Sequence, residues 1–119
     1  MSQRFATDIL IIGGGAAGLA AALHLADLYR VTLLSKGSME SGASSWAQGG
    51  IAAVTDPIDS LECHQSDTIT AGSGLCHLDT VKTVVESAPL VIEQLSQWGV
   101  DFDLRGNEYH LTKEGGHSN

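Results

Sequence analysis

The stretch TDILIIGGGAAG, residues 7–18, indicates which fold this chain adopts. A short run rich in isoleucine that ends in glycine predicts a buried strand over residues 7–13. The alanines and leucines that follow have helical spacing and no breaker, which predicts a helix over residues 16–29. VTLLS, residues 31–35, predicts a second strand. Strand, helix and strand within about thirty residues predict a parallel βαβ unit and an α/β fold.

The glycine cluster in this stretch has the spacing G-x-G-x-x-G, formed by Gly13, Gly15 and Gly18. The pattern is weak alone, but a preceding strand and a following helix are the context of a dinucleotide phosphate loop. Gly13 permits the tight turn, Gly15 lets a pyrophosphate approach the backbone, and Gly18 allows close helix–strand packing. The predicted phosphate-binding residues are Gly13, Gly14, Gly15, Ala16, Ala17 and Gly18. The alternative is a plain tight turn.

The second strand ends without the expected acidic residue. Nicotinamide-binding folds place a carboxylate about twenty residues after the glycines, to hold a ribose hydroxyl. This chain has Ser35 and Lys36 at that point. Ser35 can hydrogen-bond a ribose, and Lys36 can cover the adenine side or a phosphate. The motif alone therefore does not identify the dinucleotide.

A second glycine-rich segment, SGASSWAQGGIAAV, spans residues 41–54. Its serines, Gln48 and paired glycines offer many hydrogen-bonding groups to a polar, extended cofactor. A solvated linker is the alternative, but it fits poorly because Trp46 and the apolar residues 51–54 interleave with the polar ones. Residues 51–54 are predicted as a short strand.

The second half of the chain predicts helices followed by short strands. Residues 60–71 are expected to be helical, and Asp79 is expected to cap another helix. Pro89 is expected to start or kink the next helical piece, and Gly99 to end it. One apolar stripe is predicted on that piece, formed by Leu90, Val91, Leu95 and Trp98. Residues 100–119 are predicted to form short strands and loops.

Composition and charge limit the kinds of partner that the protein is expected to bind and indicate its cellular compartment. The net charge of −8, from 14 acidic and 6 basic residues, argues against nucleic acid and anionic membranes as partners. The apolar run near the N-terminus is too short for a secretory signal or a membrane span, so a cytoplasmic protein is predicted. Cys63 and Cys76 each precede a histidine, but the spacing is not that of a zinc site. No metal is predicted.

Several segments together resemble the L-aspartate oxidase family: ILIIGGGAAGLAAAL, LLSKG, SSWAQGGIAA, DSLECHQSDTITAGSGLC and YHLTKEGGHS. The family is related to the flavoprotein subunits of succinate dehydrogenase and fumarate reductase. The resemblance implies a Rossmann-like FAD-binding domain and the oxidation of L-aspartate to iminoaspartate. Oxygen or fumarate reoxidises the flavin. The product feeds quinolinate synthesis, the start of de novo NAD formation, which implies a functional link to quinolinate synthase.

The resemblance also implies roles for individual residues. Ala43 stands where the membrane-complex dehydrogenases carry the histidine that bonds FAD, so noncovalent FAD is implied. Lys36 is expected beside the adenosine end. In the family, the glutamate of EGGHS helps to orient the substrate. It corresponds to Glu114, and His117 is a weaker candidate for contact with flavin or substrate. The segment expected to wrap the flavin comprises Ala43, Ser44, Ser45, Trp46, Ala47, Gln48, Gly49 and Gly50.

Family members are several times longer than this chain. Residues 1–119 are therefore expected to be the N-terminal part of an FAD-binding domain that is incomplete at its C-terminus. The substrate-capping and C-terminal helical domains are expected to be absent, and the chain alone is expected to be inactive. Two other interpretations stay open: a fragment of a succinate dehydrogenase or fumarate reductase-type flavoprotein, and a stand-alone nucleotide-binding module without catalysis.

Overall fold

A computed structural model describes residues 4–47, 49–113 and 117. The chain divides into two compact units, Met1–Gly50 and Ile51–Asn119. Each unit is described by itself.

The first unit is the predicted βαβ element, although its first strand is not buried as predicted, since Leu10 and Ile12 are 54% and 79% exposed. It consists of strand β1 (Ile9–Ile12), helix α1 (Ala16–Leu25) and strand β2 (Val31–Leu34). The strands are parallel, and their register pairs Ile9 with Val31 and Ile12 with Leu34. Helix α1 ends before the predicted residue 29, because the chain turns there through bonds from the Leu28 and Tyr29 N–H groups to the Leu25 carbonyl. This unit brings the glycine loop to the carboxyl end of β1.

The second unit is a pair of helices followed by a small hairpin. It contains α2 (Leu61–Gly72), α3 (Leu78–Gln97), β3 (Leu104–Arg105) and β4 (Glu108–Tyr109). Helices α2 and α3 pack together, and β3 pairs with β4 antiparallel. The buried apolar side chains among the described residues are Val81, Val85 and Ile92, all on α3.

Helix α3 ends in a Schellman motif. The C-cap is Trp98, and Gly99 follows it with φ of +93°. The Val100 N–H donates to the Leu95 carbonyl and the Gly99 N–H donates to the Ser96 carbonyl, both at 3.0 Å. This pair of bonds requires a left-handed residue at position 99, where glycine has no steric cost. The predicted end of the helix at Gly99 is therefore confirmed.

Helix α3 differs from the prediction at its start and at Pro89. Its N-cap is His77, so Asp79 is not the cap and lies in the first turn instead, where a carboxylate favours the positive helix end. Pro89 lies inside a continuous helix and does not start a new one. Val85 and Ile92 are buried on either side of it, and this burial opposes the break that proline favours.

Two further predictions for this unit are wrong. Of the predicted stripe, Leu95 and Trp98 are half-buried, but Leu90 and Val91 are 69% and 47% exposed. The buried side chains of α3 are Val81, Val85 and Ile92. Residues 51–54 form no strand, since no other described segment pairs with them to satisfy their backbone groups. No helix in the described ranges is long and apolar enough to cross a membrane.

Candidate cofactor site

The turn between β1 and α1 depends on Gly13. Its φ is +118°, a conformation that a residue with a side chain rarely adopts. The Gly13 N–H donates to the Leu34 carbonyl over 2.9 Å, which extends the β1–β2 pairing by one bond. The chain then turns sharply into α1. The end of the sheet and the start of the helix therefore meet at the glycine loop.

Close packing between α1 and this turn depends on Gly18. A Cβ atom at this position would overlap the carbonyl oxygen of Gly13 and would lie 3.1 Å from its carbonyl carbon. Because the obstacle is backbone, no side-chain rotation relieves it. Gly18 thus holds the first turn of α1 directly against the glycine loop.

The N-terminus of α1 presents backbone donors to the loop that follows β2. Gly15 is the N-cap and has no side chain to satisfy these donors. The Ala16 N–H donates to the Ser44 hydroxyl oxygen over 3.2 Å. The other N–H groups of the first turn have no partner within the helix and add to its positive end. Such a helix start favours an anion.

A cavity of about 510 Å³ adjoins this helix start. It is lined by Gly13, Gly14, Gly15, Ser35, Lys36, Gly37, Met39, Ser41 and Gly42. None of these residues carries a carboxylate, and Lys36 contributes a positive charge. The cavity therefore combines a cation, two serine hydroxyls and an exposed glycine backbone, which suits a phosphorylated, hydroxyl-rich ligand.

The structure brings together only some of the predicted cofactor-binding residues at this cavity. Gly13, Gly14, Gly15, Ser35 and Lys36 line the cavity. Ala16, Ala17 and Gly18 form the first turn of α1, whose backbone donors are described above.

The glycine-rich segment forms turns rather than an irregular loop. Short 3-10 turns span Met39–Ser41 and Ala43–Trp46. Trp46 is 82% exposed, and Ala43, Ser45, Ala47, Gly49 and Gly50 are exposed as well. The Ser44 side chain of this segment is bonded to the Ala16 N–H of α1. Gln48 lies outside the described residues.

Four cavity residues were not in the predicted set: Gly37, Met39, Ser41 and Gly42. Met39 is the most informative, because a Cβ on Gly14 would lie 2.8 Å from the Met39 sulfur. The thioether thus covers the glycine loop directly. Their position in the sequence could have identified them, since all four residues lie between Lys36 and Ala43, which are both predicted cofactor-binding residues.

The residues predicted for substrate lie in the second unit. Glu114 lies outside the described residues. His117 is half-buried, and its ring packs edge-to-face against His64 of α2, with ring centroids 5.0 Å apart and an interplanar angle of 74°. In the described part of the chain, no group of three or more histidine, cysteine or acidic side chains is placed to hold a metal ion.

Comparisons with known proteins agree with this geometry. The chain is 48% identical to an L-aspartate oxidase of Pseudomonas aeruginosa over 99% of its length, and 49% identical to one of Yersinia pestis over 98%. It spans 23% of the length of each.

Solved structures of related proteins have the same fold. Sdh1 of Mycobacterium smegmatis in complex with UQ1 matches with a TM-score of 0.85, at 27% identity over 99% of this chain. E. coli quinol fumarate reductase FrdA matches with a TM-score of 0.82, at 34% identity over 93%. The chain covers 20% of each of these proteins. The predicted start of a Rossmann-like fold is thereby confirmed.

The glycine loop and the helix start described above fall within one family model. The model of an FAD binding domain matches residues 8–119, which include every residue that lines the cavity. The chain therefore belongs to the family of FAD-binding domains, and FAD is the cofactor that this family identifies.

Proposed function

We propose that this chain forms the N-terminal part of the FAD-binding domain of an L-aspartate oxidase, which oxidises L-aspartate to iminoaspartate. Identity of 48% to a curated L-aspartate oxidase over almost the whole chain is the observation that supports this most directly. The first unit adds a physical reason, because it provides a helix start and a cavity suited to the phosphates of a dinucleotide. Residues 1–119 are then a part of that domain, and the substrate-capping and C-terminal helical domains belong to the remainder of the enzyme.

The residues at the glycine loop suit FAD in charge and in hydrogen-bonding groups. The helix start and the Ser44 hydroxyl would offer hydrogen-bond donors to the pyrophosphate, and Ser35 and Lys36, which line the cavity, would hold the adenosine half. When bound, FAD supplies the acceptor for the hydride that leaves the α-carbon of the substrate. The protein contributes binding and orientation. We assign the phosphate contacts to residues 13–18 and the flavin side to residues 43–50.

FAD is proposed to be held without a covalent bond. Ala43 has only a methyl group and cannot form the linkage that a histidine at this position would allow. Denaturing the FAD-loaded enzyme with acid should therefore release all the flavin into the supernatant. Flavin that stays with the precipitated protein would contradict this assignment.

Substrate selection is assigned to Glu114, with His117 as a second contact. L-Aspartate differs from succinate and fumarate by its ammonium group, and a carboxylate is the side chain that recognises an ammonium. The electron acceptor is proposed to be oxygen, which yields hydrogen peroxide, or fumarate. We place the enzyme in the cytoplasm, where iminoaspartate would pass to quinolinate synthase in NAD formation.

A second candidate function is that of a succinate dehydrogenase or fumarate reductase flavoprotein. The TM-scores of 0.85 and 0.82 to two such proteins favour it. Ala43 and Glu114 argue against it, because the first cannot carry covalent FAD and the second suits an amino acid substrate.

The two functions are distinguished in the full-length protein of which residues 1–119 are proposed to form a part. With FAD bound, anaerobic addition of L-aspartate should bleach the flavin absorbance faster than succinate does. Faster bleaching with succinate would refute the proposal. The chain of 119 residues alone should yield no peroxide from L-aspartate above a control without protein.

A further inference from the structure

The Met39 side chain combines an oxidisable sulfur with a place at the cofactor cavity. It lines the cavity, and a Cβ built on Gly14 would lie 2.8 Å from the Met39 sulfur and 2.9 Å from its methyl carbon. The thioether therefore lies against the backbone of the glycine loop. We propose that Met39 is a modification site, at which hydrogen peroxide forms methionine sulfoxide and thereby lowers the affinity for FAD; the effect on FAD rests on the proposed function.

Met39 is accessible, and its backbone is fixed by the turn that contains it. The residue is 44% exposed, so a small oxidant reaches it without unfolding of the chain. It starts the 3-10 turn Met39–Ser41, whose N-cap Ser38 accepts from the Glu40 N–H over 3.3 Å. The Ser45 hydroxyl donates to the Met39 carbonyl over 3.5 Å. These bonds hold the thioether at the cavity while it stays open to solvent.

The reaction needs only the thioether and hydrogen peroxide. A lone pair of the sulfur attacks one oxygen of the peroxide, so that the S–O bond forms as the O–O bond breaks. The transferred oxygen gives up its proton, and the other oxygen leaves as water. Sulfur loses two electrons and the peroxide gains them, which yields the sulfoxide. The proposed reoxidation of FAD by oxygen releases hydrogen peroxide, so the enzyme itself would supply the oxidant.

The sulfoxide changes the polarity of the cavity wall beside the glycine loop. An apolar thioether becomes a polar group whose oxygen accepts hydrogen bonds and carries partial negative charge. The N–H groups of the first turn of α1 are the donors proposed for the pyrophosphate. A sulfoxide beside Gly14 competes for these donors and repels the phosphates. Loss of one hydrogen bond to a charged group weakens binding about 10-fold or more.

The reactivity of Met39 is tested first, without reference to FAD or to activity. The full-length protein that contains residues 1–119 is freed of FAD and treated with hydrogen peroxide, together with a synthetic peptide of residues 36–42. Mass spectrometry of the digested protein should show the addition of one oxygen to Met39 at a rate comparable with that of the peptide. A Met39 that stays reduced while the peptide is fully oxidised would overturn the inference.

The effect on the cofactor is tested by fluorescence titration of the same protein with FAD. Peroxide treatment should raise the Kd about 10-fold, and methionine sulfoxide reductases for both sulfoxide epimers should restore it. Met39→Leu is the matched control, because leucine has a similar volume and is apolar but has no sulfur. Its Kd should match that of the untreated parent within about twofold and should not change with peroxide.

Each further outcome decides one part of the inference. An unchanged Kd in a parent whose Met39 is fully oxidised would overturn the effect on affinity and leave the proposed function intact. An equal rise in Met39→Leu, or a rise that the reductases do not reverse, would also overturn it, because the damage would then lie elsewhere. An untreated parent that does not bind FAD would refute the proposed function and the effect on affinity, whereas the oxidation of Met39 is measured independently.

Discussion

Replacement of Gly18 by alanine tests the close approach of α1 to the glycine loop. The added Cβ would overlap the Gly13 carbonyl oxygen, with the Ile11 Cγ2 atom a further 3.5 Å neighbour. Overpacking costs about 1–3 kcal/mol, and a backbone obstacle favours the upper end. Alanine has a higher helix propensity than glycine, which offsets about 1 kcal/mol of this cost. The net cost is about 2 kcal/mol. This corresponds to a shift of roughly 30-fold in the equilibrium, from α1 packed against the glycine loop towards α1 separated from it.

Amide hydrogen exchange in the 119-residue chain measures this loss locally. In Gly18→Ala, protection of the amides of residues 20–25 should fall about 30-fold, because the helix separates from the strand more often. The amides of α3 provide an internal reference in the same spectra. Gly49→Ala is the matched control: a Cβ there meets nothing within 4 Å, so protection of α1 should stay within about twofold.

The reasoning would be refuted by Gly18→Ala protection equal to that of the parent. That result would mean that α1 does not lie against the loop as closely as described. A fall of the same size in Gly49→Ala would also refute it, since the effect would then be general rather than due to the contact with Gly13.

The remaining predictions concern one hydroxyl, one ion pair and the core. Ser44→Ala in the full-length protein that contains residues 1–119 should raise the Kd for FAD about 5-fold in a fluorescence titration, because it removes the hydroxyl at the start of α1; an unchanged Kd would contradict this. Hydrogen bonds from the Arg30 side chain, and then from its backbone, lower the pKa of Asp8 below 3.8. The stabilisation that follows is fully present above pH 3.8 and is lost as the pH falls through the folded pKa. An NMR titration of the Asp8 carboxyl group should therefore show a low pKa that rises in Arg30→Ala. A pKa of 3.8 in the parent would contradict the pairing of Asp8 with Arg30. Val85→Ala should lower the free energy of unfolding by about 2 kcal/mol in a urea titration, and the exposed Val84→Ala by less than about 0.5; equal losses would contradict the assigned core.

Local patterns were sufficient for the first unit. The run ILII, three glycines and an alanine-rich segment predicted β1, the loop and α1, and all three are present. These elements depend on bonds and steric limits between residues close in sequence, such as the positive φ of Gly13. The helix over residues 60–71 was likewise predicted, and in the structure the Ser60 side chain caps its start. Periodicity and capping are local properties that a single sequence displays.

Patterns were less informative where burial depends on distant partners. The apolar residues of α3 allow more than one stripe, and the structure buries Val81, Val85 and Ile92 while Leu90 and Val91 stay exposed. Pro89 stays within one helix because burial on both sides opposes the break. Residues 51–54 are apolar enough for a strand, but a strand also needs a partner to satisfy its backbone.

The sequence alone determined that the chain starts as a βαβ unit with a dinucleotide loop, since strand length, glycine spacing and helix propensity are properties of neighbouring residues. Tertiary structure alone placed Met39 over Gly14, the Ser44 hydroxyl on α1 and His64 against His117. These pairs are 25, 28 and 53 positions apart by their numbers. No periodicity connects residues at such separations, because the fold of the intervening chain sets the distance between them.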